Sequence, residues 1–454
     1  MHQTGADPWG ERLPRRLGLA SAVAVLVGTT IGSGIFRTPA VVADRVDVVG
    51  LFVAGWVLGG VLALAGALTY AELAAMFPRT GGIYVYIREA FGHLPAFLFG
   101  WAELLVIRPA ALGAIAIVAG EYFWRLLGVD GGAALAPLPL SLAQVTAAAF
   151  IVVVGTVNYR GIHLAALVQN TSTILKVGAL LSLVALGLVL EPRYALEREA
   201  SSGTVLSPIA GFGLALVSIM WAYDGWADLS FVGGEVKDPE RNLPRALFLG
   251  TAGVIAVYLA VNFVYLKLVP LDRMAGSPLI AADVAYIILG GAGVVFVSAA
   301  VMVSAFGSLN GSMMVGPRIF YAMAEDRLFF RPLAAVHPRF GTPGGAIVLA
   351  AVLGVAYVSL RNFAELADQF IIGIWPFYAL GVAATFVLRR RRPHAARPYR
   401  TWGYPVVPLL FLLSAVYLLG NYMLTQPRLF AADVAVILTG LPVYVWWRRR
   451  AAAG

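Results

Sequence analysis

Cysteine is absent from the 454-residue sequence. That excludes disulfides, thiolate metal sites and cysteine nucleophiles outright. Charge is scarce: 13% of residues are Asp, Glu, Lys or Arg, about half the share of an ordinary soluble domain. No G-x-x-x-x-G-K-[ST] and no H-E-x-x-H occurs, so neither a pump driven by its own ATPase module nor a zinc hydrolase is in view. No nucleophile and base converge in any motif, which argues against a membrane-embedded enzyme. The five histidines have no ligand spacing, so no metal and no cofactor is expected.

What the chain has instead is apolar length. Sixty per cent of residues are hydrophobic and the mean hydropathy is +0.82. Runs of about 20 apolar residues recur along nearly the whole chain, each long enough to cross about 30 Å of hydrocarbon. The ten-residue alternation of a membrane β-barrel is missing. The fold class read from this is an all-α integral membrane protein. Twelve spans are expected near 17–44, 50–76, 92–127, 141–158, 163–190, 207–233, 245–269, 283–322, 343–360, 366–388, 404–424 and 429–447. The third exceeds one vertical crossing and should be tilted. The basic N-terminal "MHQTGADPWGERLPRR" lacks a following cleavage site and is read as leading into a retained first helix. No loop is long enough for a separate soluble domain, so residues 1–454 are read as one membrane domain.

Charge placement orients the spans. With both termini cytoplasmic, 21 of the 33 Lys and Arg fall in inside segments, "RRRRPHAARPYR" foremost, while the outside loops hold Arg45, Arg193, Arg198, Arg273, Arg361 and Arg428. The net charge of +9 is thus explained by membrane orientation, and no nucleic-acid partner is needed. The expected partner is the lipid bilayer of a plasma membrane, crossed many times with both termini on its cytoplasmic side.

Two stretches interrupt the apolar pattern where it should be most regular. "GTTIGSGIF" in the first span has Gly28 and Gly32 four apart, a spacing that lets helices pack closely. It also has Gly32, Ser33 and Gly34 in succession, which weakens a helix by roughly 0.8–1 kcal/mol per glycine. Unwound backbone in a membrane needs buried partners, and a polar ligand can be one. "IMWAYDGWADLSF" in the sixth span puts Asp224 and Gly225 in mid-span among Trp221, Tyr223 and Trp226. An ionised aspartate there costs at least about 2.5–3.5 kcal/mol unless it faces a partner or a wet cavity.

The two spans each open a five-span block, 17–190 and 207–388, and an odd number of spans makes the blocks inverted. Interrupted spans in matching positions of inverted halves point to a transporter's midplane site. Helix N-termini there favour a carboxylate and freed carbonyls favour a cation. One site offering both suits a zwitterion, hence an amino acid. The pore loop or repeated charged ring of a channel is not seen.

"VGTTIGSGIFRTP", "YAELAAMFPRTGGIYVYIREAFG", "ELLVIRPAA", "WAYDGW", "EVKDPERNLPRA" and "FGSLNGSMMVGPRIFYAMAEDRLF", continuing to "RPYRTWGYPVVP", together resemble the amino acid–polyamine–organocation superfamily. They are most similar to a prokaryotic member of its L-type amino acid transporter family. The resemblance implies a five-plus-five inverted-repeat fold of the leucine-transporter type, with two added helices at 404–447. It implies alternating access, in which the first and sixth spans move against the rest. It matches Gly32, Ser33 and Gly34 to the segment whose amides and hydroxyl hold a substrate carboxylate. Thr30 and Ile31, with Trp221 and Asp224, match carbonyls facing the α-amino group, and Trp221 closes over the substrate. Tyr223 and Gly225 complete the candidate substrate-binding set.

Lys176 lies mid-way through the fifth span, about 13 residues or ~20 Å from the nearer membrane edge, too far to snorkel. By resemblance its amine takes the space that sodium fills in sodium-coupled relatives and ties the fifth helix to the first near Gly28. Sodium independence follows as an expectation, with exchange or facilitated diffusion favoured over proton symport through Lys176. Two departures are expected to matter. Asp224 stands where a small residue is common in the family; an acidic side chain there would suit cationic substrates and one turned away from the site would not matter, so neutral substrates are expected first, with cationic ones as an addition. The cysteine that binds an accessory glycoprotein in animal relatives is missing, so no disulfide-linked subunit is expected.

Glu103 and Arg108, five apart and so about 140° around an α-helix, are not expected to pair with each other and are read as orienting neighbouring helices. Glu72 reads as structural at the cytoplasmic end of the second span. Tyr84 and Tyr86 read as lying on a surface or interfacial helix in the following loop. Ser308 and Asn310 in the eighth span read as supports beside the site.

Overall fold

A computed structural model describes residues 15, 17–135, 140–192, 207–277, 279–326 and 328–453. Arg12, Arg16, Arg193, Arg198 and Arg327 of the charge count lie outside the described residues. The described residues are helical almost throughout, and no strand longer than an isolated bridge occurs among them.

Among these residues, nine helices are long and apolar enough to cross a membrane, and one bent pair makes a tenth crossing. The bent pair is the first span, Leu19–Thr30 and Gly34–Arg45, with 41° between its halves. The second span is Val49–Met76, the third His93–Leu126, the fourth Leu142–Arg160 and the fifth Ile162–Val189. The seventh is Pro239–Leu268 and the eighth Gly291–Glu325. The tenth is Phe363–Arg391, the eleventh Val406–Thr425 and the twelfth Pro427–Arg449. The two remaining crossings are shorter, with helices of 16 and 17 residues. The sixth is broken, its helix Pro208–Tyr223 stopping before Asp224, and the ninth is Gly344–Leu360.

Local chemistry sets the ends. Ser141 with Gln144, and Asn362 with Glu365, form reciprocal capping boxes that start the fourth and tenth spans. Gly290 at φ 64° turns the chain between Ile280–Leu289 and Gly291–Glu325. The expected eighth span 283–322 is therefore two helices: a left-handed backbone position, open to glycine, splits one apolar run.

Burial grades from centre to rim. The apolar stretch of the third span is 89% buried, while those of the eleventh and twelfth are 28% and 17% buried. The last two spans present residues such as Leu413, Val416 and Leu424 outward, as a bilayer-facing surface should. The third span thus forms the wall of the interior, and both broken spans lie against it or its neighbours.

Tyr84 and Tyr86 lie on a helix, Ile83–Phe91, as expected, but neither is at the surface: each is about 1% exposed. The Tyr84 hydroxyl donates to Asp326 at 2.5 Å, and the Tyr86 ring meets Tyr70 edge-on. The loop between two spans is folded inward, which hydropathy alone does not reveal. Glu72 is fully enclosed, accepting from Arg389 at 2.9 and 2.7 Å and from the Thr401 amide at 2.7 Å.

Candidate substrate site between two broken helices

The first span stops at Thr30 and restarts at Gly34, the Ile31 amide closing the first half with a bond to the Val27 carbonyl at 2.9 Å. Three glycine and serine positions in a row supply too little helix propensity to hold the turn. In the sixth span, Asp224 takes an extended backbone (φ −64°, ψ 152°) and Gly225 a left-handed one (φ 111°). Gly225 has no room for a side chain either, since a Cβ there would lie 2.8 Å from the Thr30 backbone. At Gly34 a Cβ would lie 2.5 Å from the Ala222 Cα. Glycine on each break lets the two breaks touch.

A tyrosine of the seventh span stitches them together. The Tyr258 hydroxyl shares its proton between the Thr30 and Ala222 carbonyls, at 2.9 and 3.0 Å. The hydroxyl of Thr29 adds a longer bond, 3.4 Å, to the Gly225 carbonyl.

A cavity of about 50 Å³ opens between the breaks, room for on the order of three to five waters. Six of the expected substrate residues line it: Thr30, Gly32, Ser33, Gly34, Trp221 and Asp224. Ile31, Tyr223 and Gly225 do not line it. The Ile31 carbonyl accepts from Ser308 at 3.4 Å, and the Tyr223 hydroxyl donates to the Trp56 carbonyl at 3.2 Å. The Trp221 carbonyl already accepts from the Asp224 amide at 3.3 Å. Among the described residues, no group of three His, Asp or Glu could hold a metal.

The Asp224 carboxylate accepts from the Tyr378 hydroxyl of the tenth span at 2.7 Å. Trp221 packs edge-on against Phe370 and Phe363 at 5.2 and 6.1 Å between centroids, so its indole is held at the rim. Its Nε1 has no hydrogen-bond partner among the described residues, although the residue is only 8% exposed.

Lys176 is fully buried, and its amine donates to the Gly28 carbonyl at 2.5 Å and to Ser308 at 3.1 Å. Ser308 in turn lines the cavity. The fifth, first and eighth spans therefore meet at this amine. At Gly28 a Cβ would strike the Thr173 hydroxyl and approach the Gln169 amide to 2.7 Å. The glycine allows the close approach that brings Lys176 to the first span. Asn310 lies outside the cavity lining, donating to the Ala165 carbonyl and accepting from Asn158.

Glu103 and Arg108 do pair with each other. Arg108 reaches the Glu103 carboxylate at 3.1 Å, and both side chains are at least 95% buried. The physical reason is a π-turn over Glu103–Ile107. Its i→i+5 bonding brings residues five apart onto one face, where a regular α-helix would separate them. Both side chains also line the cavity, with Asp228, Ser312, Tyr378, Phe231 and Phe370. Asp228 is the residue that span-by-span reading passes over. Its signal was present in "DGWAD", a second acid four residues after Asp224, on a segment too short and broken to assign a face.

Comparison with known proteins agrees with this architecture. The family profile described as "Amino acid permease" matches residues 17–446. The serine/threonine exchanger SteT of Bacillus subtilis (strain 168) is 32% identical over 444 residues, covering 97% of this chain and 98% of that protein. The human b(0,+)-type amino acid transporter 1 is 32% identical, with 96% and 89% covered. The human large neutral amino acids transporter small subunit 2 is 30% identical, with 99% and 84% covered. The chain belongs to the amino acid permease family of the amino acid–polyamine–organocation superfamily, and is a multi-pass amino acid transporter rather than an enzyme.

Proposed function

We propose that this transporter exchanges neutral L-amino acids across a prokaryotic plasma membrane by alternating access, without sodium. The observation that carries the reading is the pair of breaks facing one small cavity. Residues 17–190 and 207–388 are taken as the two inverted repeats, each opening with a broken span, and 404–447 as the two added helices. The termini are taken as cytoplasmic on the bias of Lys and Arg.

In this reading the amides after the first break and the Ser33 hydroxyl take the α-carboxylate, where a helix N-terminus presents free N–H groups. Free lone pairs on the Thr30 carbonyl, with Asp224 opposite, take the α-amino group, and Trp221 covers the ligand. Lys176 occupies the junction of the first, fifth and eighth spans with its own cation, which supports transport without sodium. The relatives named as an exchanger and as amino acid transporters support exchange of this substrate class.

Ion pairs stand at both ends of the pathway. Arg37 of the first span bonds Glu121 of the third and lies over the Phe363 ring, and Arg45 lies 3.6 Å from Asp368. At the other end Arg88 holds Asp326 and Arg389 holds Glu72, at 2.8 and 2.7 Å. Alternating access would break one layer while keeping the other.

The experiment is uptake by purified protein in liposomes, with a panel of labelled amino acids. Exchange predicts stimulation by internal amino acid, with no requirement for sodium or a pH gradient. Accumulation driven only by an inward proton gradient would instead favour symport through Lys176. That second reading draws on one observation: the buried amine has neutral partners, a carbonyl and a hydroxyl, and no carboxylate among its hydrogen bonds.

A further inference from the structure

The cavity lining carries three carboxylates, Glu103, Asp224 and Asp228, against one guanidinium, Arg108. Their partners are unequally shared. Arg108 is engaged by Glu103 at 3.1 Å and donates to Ser312 at 2.9 Å. Asp224 has the Tyr378 hydroxyl. The Asp228 carboxylate has no hydrogen bond and no ion pair among the described residues, and only its backbone amide donates, to the Gly225 carbonyl at 3.1 Å; Arg108, Glu103 and Asp224 are its charged neighbours. Lys176, the other buried cation nearby, is turned to Gly28 and Ser308 and does not line the cavity.

A charge held away from water is costly unless something pairs with it. With the single guanidinium committed to Glu103, the lining is short of positive charge on the side of Asp224 and Asp228. The single α-amino group of a zwitterion, taken opposite Asp224, does not answer both carboxylates. A side chain ending in an ammonium or guanidinium does.

From this arrangement, which rests on the transport reading above, we propose that Asp228 determines side-chain specificity. Its unpaired carboxylate accepts the distal cation of a basic amino acid. Together with Glu103 it also cancels Arg108, so that a substrate with an acidic side chain meets net negative charge and is refused. Substrate discrimination of this kind uses a repulsive element as well as an attractive one. Asp224 is then shared between the α-amino end and the side-chain end, while Asp228 reads the side chain alone.

The test compares wild type with Asp228→Asn in liposomes, using labelled arginine and labelled alanine, with glutamate as competitor. The readout is the ratio of the KM for arginine to the KM for alanine, which removes any loss common to both. A rise of at least tenfold in that ratio is expected in Asp228→Asn, with partial return in Asp228→Glu. Glutamate should inhibit alanine uptake in the variant and not in the wild type. An unchanged ratio would overturn the assignment, as would a wild type that takes alanine but neither arginine nor lysine.

If no amino acid of the panel is taken up by the wild type, the transport reading itself falls and this one with it. Should Asp228→Asn not fold, thermal stabilisation of the wild type in detergent decides the matter. Arginine must then raise the melting temperature more than alanine does, and equal shifts would reject the role.

Discussion

The first and sixth spans break at facing positions and break differently. Ile31–Ser33 is a small neutral segment whose polar groups are mostly backbone, with one hydroxyl. Its helix resumes at Gly34 with unsatisfied N–H groups. The sixth-span break is made of an acid, a left-handed glycine and a tryptophan rim, and is followed by a second acid at Asp228. Backbone cannot tell one α-amino acid from another. Carboxylates and indoles can distinguish side chains by charge and shape. On the proposed reading the comparison is a division of labour: the first break takes what all amino acids share, the sixth what separates them.

The hardest way to break this division is to drive the two breaks apart. Gly34→Val places atoms against the Ala222 backbone, where even a Cβ would be 2.5 Å away. Neither side can yield, because both are main chain. Uptake of every amino acid should fall below a hundredth of wild type, with the protein still monodisperse in detergent. Retained uptake at near-normal rates would mean that the breaks do not need to touch.

Removing one hydroxyl from the first break is gentler. Ser33→Ala should raise the apparent KM about tenfold and equally for alanine, leucine and arginine. A hydrogen bond to a charged group is worth about 1.5–3 kcal/mol, and 1.4 kcal/mol is one factor of ten. Unequal losses across the panel would refute the claim that this break reads the shared part. Asp224→Asn gives the opposite pattern with a smaller effect on the neutral panel. Arginine and lysine uptake should weaken several-fold more than alanine or leucine uptake, because the amide keeps a partner for Tyr378 but loses the charge. Equal loss for all would assign Asp224 to structure.

Most of the fold was legible because each apolar run is a span and each run had a charge-marked loop beside it. The first break was legible for a related reason, since three residues of poor helix propensity stand where propensity should be high. The sixth break announced itself by an acid in mid-span. Lys176 was legible too, because no membrane edge lies within reach of its amine. Periodicity fails where the helix itself departs from 3.6 residues per turn. Glu103 and Arg108 were assigned to different faces by α-helical arithmetic, and a π-turn put them on one. The helix carrying Tyr84 and Tyr86 was legible but their burial was not, because a loop sequence says nothing about whether the loop folds inward. Asp228 was overlooked because it follows the break, where neither helix nor strand period applies.

The smallest expected effect lies outside both breaks and serves as their control. Glu89, on the helix Ile83–Phe91 between the second and third spans, pairs with Arg392 at 2.9 Å and Arg88 at 3.2 Å. Burial alone would raise its carboxyl, but the two arginines more than offset this and hold it below the ordinary carboxylate range. A carboxyl lowered on folding contributes stability that is present above its unfolded pKa of about 4.3 and fades as pH falls through the lower folded value. Arg392 is 47% exposed, so solvent screens the pair and its contribution is ~0–1 kcal/mol. Glu89→Gln should therefore lower the melting temperature by no more than a few degrees at pH 7, and the difference from wild type should shrink steadily below pH 4.5. Substrate ratios should stay as in wild type, since nothing in this pair touches the cavity. A change in the arginine-to-alanine ratio on this substitution would show that selectivity is not confined to the sixth break, and would undo the division between the two.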